Sequence, residues 1–141
     1  MLDKPWIFFA FLSALFAALV AIFGKIGIKG IDSTLATTVR AVIMATFLVI
    51  VSLVMGKGSL LSTINNKALL FIILAGLAGA LSWLAYFYAL KVGPVSGVAV
   101  LDRFSVVLVV LMAAIFLGEV LTWKTIIGII LVSSGLIFFV I

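Results

Sequence analysis

Long apolar stretches separated by short polar segments dominate the pattern of the chain. Five such stretches occur, at residues 6–24, 34–55, 68–90, 95–117 and 123–141. An α-helix needs about 20 mostly apolar residues to cross the hydrocarbon core of a bilayer. The segments between the stretches carry most of the charged residues. The pattern predicts an all-α integral membrane protein, a bundle of about five transmembrane helices.

The unbroken apolar character of these stretches favours helices over a β-barrel. Residues 69–74 are all Leu, Ile or Phe, whereas a barrel strand alternates polar and apolar positions over about 10 residues. Lipid offers the backbone no hydrogen-bond partners, so a spanning segment must satisfy its own N–H groups, as a helix does. The first stretch is longer than the roughly 7–15-residue apolar region of a signal peptide, and we interpret it as a span.

Composition supports a protein whose main solvent is lipid. The chain is 67% hydrophobic and only 9% charged, whereas a soluble domain carries roughly 25% charged residues. We therefore expect a multi-pass protein of the cell membrane with the lipid bilayer as its surroundings. The net charge of +5 comes from basic residues that mostly stand singly between apolar stretches. This placement is typical of membrane-flanking charges and argues against a nucleic-acid partner.

The sequence offers little for catalytic or metal chemistry. It contains no cysteine and no histidine, which excludes disulfides, thiol nucleophiles, imidazole catalysis and the usual zinc ligands. The acidic residues are scattered along the chain, at Asp3, Asp32, Asp102 and Glu119. We therefore expect no metal and no cofactor, and we do not expect an enzyme.

Three ionisable residues fall inside the predicted spans, namely Arg40, Asp102 and Arg103. Each such residue costs about 2.5–3.5 kcal/mol near the centre of a span. Arg40 and Asp102 lie about 9–11 Å from the starts of spans two and four, and both spans begin on the same side of the membrane. We predict that Arg40 and Asp102 form an ion pair, while Arg103 either faces a cavity or exchanges roles with Arg40. The structural alternative is a stabilising pair with the second arginine extended toward the surface.

Trp83 and Tyr86 are three residues apart and therefore share one face of the predicted third helix. Aromatic faces at this spacing suit the wall of a pocket for an apolar or cationic solute. Core or interfacial packing is the alternative interpretation.

Over nearly its whole length the chain resembles one repeat of the drug/metabolite transporter superfamily, of the EamA type. The specific part of the resemblance is the segment 86–91, Tyr-Phe-Tyr-Ala-Leu-Lys, together with Leu117-Gly118-Glu119. Phe23-Gly24-Lys25, Arg40, Gly128 and Gly135 also match. The resemblance implies a metabolite exporter or importer with five helices per repeat, and normally two inverted repeats per functional unit.

The chain departs from the resembled pattern in two ways. The family often has a proline in span four about thirteen residues before the glutamate, where this chain has Val106. The charged pair Asp102-Arg103 stands a turn earlier, so the resemblance supplies no proline to break this helix. The second departure is that only one repeat is present.

These observations favour a secondary transporter of a small metabolite or drug-like solute that works as a dimer of repeats. Its site would lie near the membrane midplane, with Arg40, Asp102 and Arg103 serving substrate binding or coupling and Trp83 and Tyr86 as walls. The alternatives are a subunit of a heterodimeric lipid-linked flippase and a non-transporting membrane scaffold.

The distribution of lysines bears on how a second repeat is supplied. Four lysines lie on the side of the N-terminus and three on the other, a bias of one. Orientation follows the bias of Lys and Arg between short loops, so this chain has almost no preferred orientation. We therefore expect a homodimer, with the antiparallel arrangement favoured; a parallel homodimer and an unrelated partner stay open. The two groups are Lys4, Lys57, Lys67 and Lys124, and Lys25, Lys29 and Lys91.

Overall fold

The computed structural model describes residues 5–140, and this part of the chain is helical without any strand. Lys4, which enters the lysine count, and Ile141, the last residue of predicted span five, lie outside the described residues. A 3₁₀ helix, Lys57–Thr63, stands between the second and third α-helices. The α-helices of the described part are α1 Pro5–Gly27, α2 Ser33–Val54, α3 Asn66–Val92, α4 Val95–Asp102, α5 Phe104–Phe116 and α6 Trp123–Val140.

Within residues 5–140, four helical stretches are long and apolar enough to cross a membrane. They are α1, α2, α3 and the stretch Val95–Phe116, which joins α4 and α5. A shorter apolar helix, Trp123–Phe139, follows them. Large apolar side chains along these helices are mostly exposed, which suits contact with lipid. The prediction of an all-α membrane protein is confirmed.

The chain divides into two units. The α2–α3 unit comprises Gly24–Val92, and within it α2 packs against α3. The α4–α6 unit comprises the described residues up to Phe23 and from Gly93 onward, and within it α4 and α5 both pack against α6.

Asp32 begins α2 as its N-cap. One carboxylate oxygen accepts hydrogen bonds from the backbone N–H groups of Thr34 at 2.9 Å and Leu35 at 3.0 Å. The Leu35 N–H lowers the pKa of Asp32 most, and the Thr34 N–H and the charge of Lys91 lower it further. Because Lys91 lies in the last turn of α3, its effect on Asp32 indicates that α2 begins where α3 ends.

The end of α1 packs tightly against α3 within the α2–α3 unit. A Cβ added at Gly24 would lie 3.1 Å from Cζ and 3.3 Å from Cε1 of Phe87, and 3.5 Å from Leu90. Phe87 is only 3% exposed and Leu90 is fully buried. The ammonium group of Lys25 donates a hydrogen bond to the carbonyl oxygen of Leu90. The segments Phe23-Gly24-Lys25 and 86–91, which carry the resemblance, therefore meet at this contact.

The fourth predicted span is interrupted at Arg103. The N–H of Arg103 bonds the carbonyl of Val100, and the N–H of Val106 bonds the carbonyl of Arg103, both at 3.0 Å. These bonds span three residues instead of four, so one turn is tightened and α4 ends before α5 begins. The interruption lies three residues before Val106, the position at which the resembled family often has a proline.

Gly118 of the segment Leu117-Gly118-Glu119 lies just after the end of α5. Gly118 has a φ of +69°, a conformation that costs a side-chain-bearing residue steric energy. The N–H of Glu119 then reaches back to the carbonyl of Ala113 at 3.2 Å. This bond satisfies one of the carbonyl groups that a helix end leaves open.

We predict that Gly24→Ala lowers the melting temperature of the detergent-solubilised protein. The added methyl group would press on the buried Phe87 ring, and overpacking of this kind typically costs about 1–3 kcal/mol. Gly27→Ala is the matched control, since Gly27 lies in the same helix and a Cβ there meets nothing within 4 Å. Equal melting temperatures for the two variants would contradict a tight contact at Gly24.

Candidate functional site

The guanidinium group of Arg40 lies over the face of Trp83. Its Cζ atom is 3.3 Å from the centroid of the Trp83 ring and 5.3 Å from that of Phe87. A cation at this position is attracted by the negative face of the ring, an interaction that is strongest with tryptophan. In a desolvated setting the attraction reaches about 2 kcal/mol, which offsets part of the cost of placing a charge in a span.

The positions of Arg40 and Trp83 along their helices explain how they meet. Arg40 is the eighth residue of α2, about 10 Å from the start of that helix. Trp83 lies nine residues before the C-terminal end of α3, a distance of about 13 Å along the helix axis. Because α2 begins where α3 ends, the two side chains lie at similar depth.

Trp83, Tyr86 and Phe87 form an aromatic cluster on α3. The centroids of Trp83 and Tyr86 are 5.9 Å apart with an interplanar angle of 75°, an edge-to-face arrangement. Phe87 lies 6.0 Å from Trp83 and 6.1 Å from Tyr86. Trp83 and Tyr86 are partly buried, whereas Phe87 is buried. The structure thus brings three of the predicted site residues, Arg40, Trp83 and Tyr86, into one unit around these rings.

Sequence reasoning missed two members of this site, Phe87 and Met44. Phe87 follows Trp83 by four residues, a helical spacing that predicts a shared face. Met44 likewise follows Arg40 by four residues, and Nη2 of Arg40 lies 3.9 Å from the Met44 sulfur. Both signals were present in the spacing of residues along the helices.

No carboxylate of the α2–α3 unit lies close enough to pair with Arg40. Asp32 is the one acidic residue in the sequence of the α2–α3 unit. Its carboxylate caps α2, about 12 Å from Arg40 along the helix axis. The thioether of Met44 is a weak acceptor and carries no charge.

The other two charged candidates belong to the α4–α6 unit. Asp102 is the last residue of α4, and Arg103 occupies the tightened turn that follows. Both side chains are exposed. The predicted ion pair of Arg40 with Asp102 would join the two units and stays a prediction. Among residues 5–140 no group of three His, Cys, Asp or Glu side chains is placed to hold a metal ion.

We predict that Arg40 and Trp83 are energetically coupled. Replacing Arg40 by Met and Trp83 by Leu, singly and together, should give a coupling free energy of about 1 kcal/mol or more, because the cation and ring attract each other. The measurement is the free energy of unfolding in mixed detergent micelles. Tyr88 is exposed on the same helix, so the cycle of Arg40→Met with Tyr88→Leu is the control and should be additive. Additive effects in the Trp83 cycle would contradict the stacking.

Comparison with known proteins gives a consistent result. The model of the EamA-like transporter family matches residues 4–141. A Sinorhizobium protein named as an uncharacterized transporter in the cobO 3' region is 40% identical over 134 residues. The matched part covers 95% of each of the two chains, so they have about the same length. No solved structure matches the chain.

Proposed function

We propose that this chain, which belongs to the EamA-like transporter family, carries a small metabolite or drug-like solute across the cell membrane as a secondary transporter. The observation that supports this most is the partly buried Arg40, stacked on Trp83 inside a span. An ionisable residue in a span is costly and in membrane proteins usually marks a substrate or ion pathway.

Substrate binding or coupling is assigned in this proposal to the intramembrane charges. Arg40 provides a fixed cation, and Asp102 and Arg103 provide charge at the interruption of span four. Trp83 and Tyr86 form walls of the site. A helix interruption suits such a role because backbone groups freed from the helix are tolerated at membrane depth where they line a cavity.

The working unit in this proposal is an antiparallel homodimer, in which each copy of the chain provides one repeat. Transporters with midplane sites commonly place them where two inverted repeats meet. The Sinorhizobium relative has about the same length as this chain and is itself named a transporter. A second copy of this repeat would complete such a site, and the nearly balanced lysines permit insertion in both orientations.

Transport by the purified protein in liposomes tests this proposal. A screen for metabolites that raise the melting temperature would first identify a ligand, since binding to the folded state stabilises it. We expect flux of that ligand by the wild-type protein and loss of flux in Arg103→Leu, with Lys57→Gln as a surface-charge control.

Flux that is unchanged in Arg103→Leu would remove Arg103 from the site. No flux by the protein alone, restored by a co-purifying second subunit, would favour the heterodimeric flippase instead. No flux under either condition would favour a scaffold.

Labelling of single cysteines tests the dual orientation. The chain contains no native cysteine, so Ser59→Cys and Ile31→Cys each introduce a unique thiol, two residues from Lys57 and Lys29, and leave the lysine count unchanged. These positions lie on opposite sides of the predicted topology, and we expect an impermeant reagent to label a fraction of both from outside intact cells. Labelling at one position with none at the other would establish a single orientation and exclude the antiparallel homodimer.

A further inference from the structure

We propose, resting on the transport function above, that the Arg40–Trp83 stack recognises an oxyanion, so that the substrate is a small metabolite with a carboxylate or phosphate group. This proposal replaces the cationic or apolar solute that the aromatic residues alone suggested. Three features support it: the geometry of the stack, the charge of the surrounding unit, and the occupied face of Trp83.

The distance of 3.3 Å from Cζ to the Trp83 centroid requires the guanidinium to lie nearly flat on the ring. A C–N bond with partial double-bond character measures about 1.33 Å. A guanidinium standing on its edge would therefore place nitrogen atoms about 2.0–2.6 Å from the ring, which is too close. In the flat arrangement the N–H donors point outward in the plane of the group, parallel to the ring.

Such an outward-pointing set of donors matches the oxygen atoms of a carboxylate or phosphate. The planar fork of arginine donates two parallel hydrogen bonds to these groups, and the bonds are strengthened by the opposite charges. Stacking leaves this edge available while holding the group in place, so less side-chain freedom is lost on binding. Met44 contacts one nitrogen, Nη2, at 3.9 Å, which is a weak interaction that an oxyanion can displace.

Charge in the α2–α3 unit favours an anion and disfavours a cation. The sequence of this unit contains six basic residues and one acidic residue, and the acidic residue caps α2. A cationic solute would also be repelled at the Trp83 face that Arg40 covers, because that face already carries the positive charge of the guanidinium. The unit therefore attracts an anion through both its net charge and its nearest donors.

Trp83 fluorescence offers a direct binding assay on the full chain. The protein has three tryptophans, so a Trp6→Phe, Trp123→Phe background leaves Trp83 as the single indole. In an uncharged detergent at pH 7, benzoate, phenyl phosphate, neutral benzamide and cationic benzylammonium present one ring with different charges. We expect saturable changes with benzoate or phenyl phosphate and none with benzamide or benzylammonium.

Arg40→Lys keeps the positive charge but removes the planar fork, and we expect it to weaken anion binding about tenfold or more. Lys57→Gln, which removes a charge outside α2 and α3, is the matched control and should bind as the background does. Unchanged anion affinity in Arg40→Lys would overturn the proposal. So would equal affinity for benzamide or benzylammonium, or no response to either anion, and these comparisons do not require the Arg40 variant to fold.

A lipid headgroup offers the same oxyanion chemistry as a soluble metabolite. The two sources are separated by nanodiscs of phosphatidylcholine alone and of phosphatidylcholine with phosphatidylglycerol. A Trp83 response to phosphatidylglycerol, with none to benzoate or phenyl phosphate, would assign the site to a lipid and overturn the substrate class. Anion binding that persists in phosphatidylcholine alone supports a soluble substrate.

The transport proposal and this inference fail in different ways. Flux of a neutral or cationic solute that persists in Arg40→Lys would support the transport function and contradict an anionic substrate. Arg40-dependent anion binding without any flux would support the anion site and contradict the transport function.

Discussion

The placement of one positive charge inside a membrane span is the constraint on which the α2–α3 unit depends. A guanidinium in lipid loses its water, and the unit contains no nearby carboxylate to compensate it. The Trp83 face, the Phe87 ring and the Met44 sulfur supply polarisable contacts instead. This arrangement tolerates the charge without neutralising it, so the Arg40 guanidinium can still attract an anionic ligand.

The packing around the end of α3 holds this arrangement in place. Phe87 is fixed on one side by the close approach of Gly24 and stands next to Trp83 on the other. Lys25 bonds the Leu90 carbonyl one turn later, and Asp32 begins α2 close to the charge of Lys91. Residues of the segments 23–25 and 86–91, which carry the resemblance, thus hold the end of α1 against α3 beside the Trp83 ring.

Much of this could be predicted from the sequence, because lipid imposes simple rules. The long apolar stretches predict the helices, and the residues at helical spacing predict that Trp83 and Tyr86 share a face. The stacking of Arg40 on Trp83 could not be predicted, since it depends on the register of α2 against α3. The interruption at Arg103 was missed for a related reason: no proline or glycine marks it, and the tightened turn shows only in backbone hydrogen bonds.

The most direct test of this account is an NMR measurement of the Arg40 side chain. The chain contains two arginines, so arginine-labelled protein gives two sets of side-chain signals, and Arg103→Lys assigns them. A guanidinium lying flat on an indole is shielded by the ring current, so the account predicts upfield-shifted Arg40 side-chain protons that return to ordinary positions in Trp83→Leu. Arg40 signals at ordinary positions in the wild-type protein, unchanged by Trp83→Leu, would contradict it.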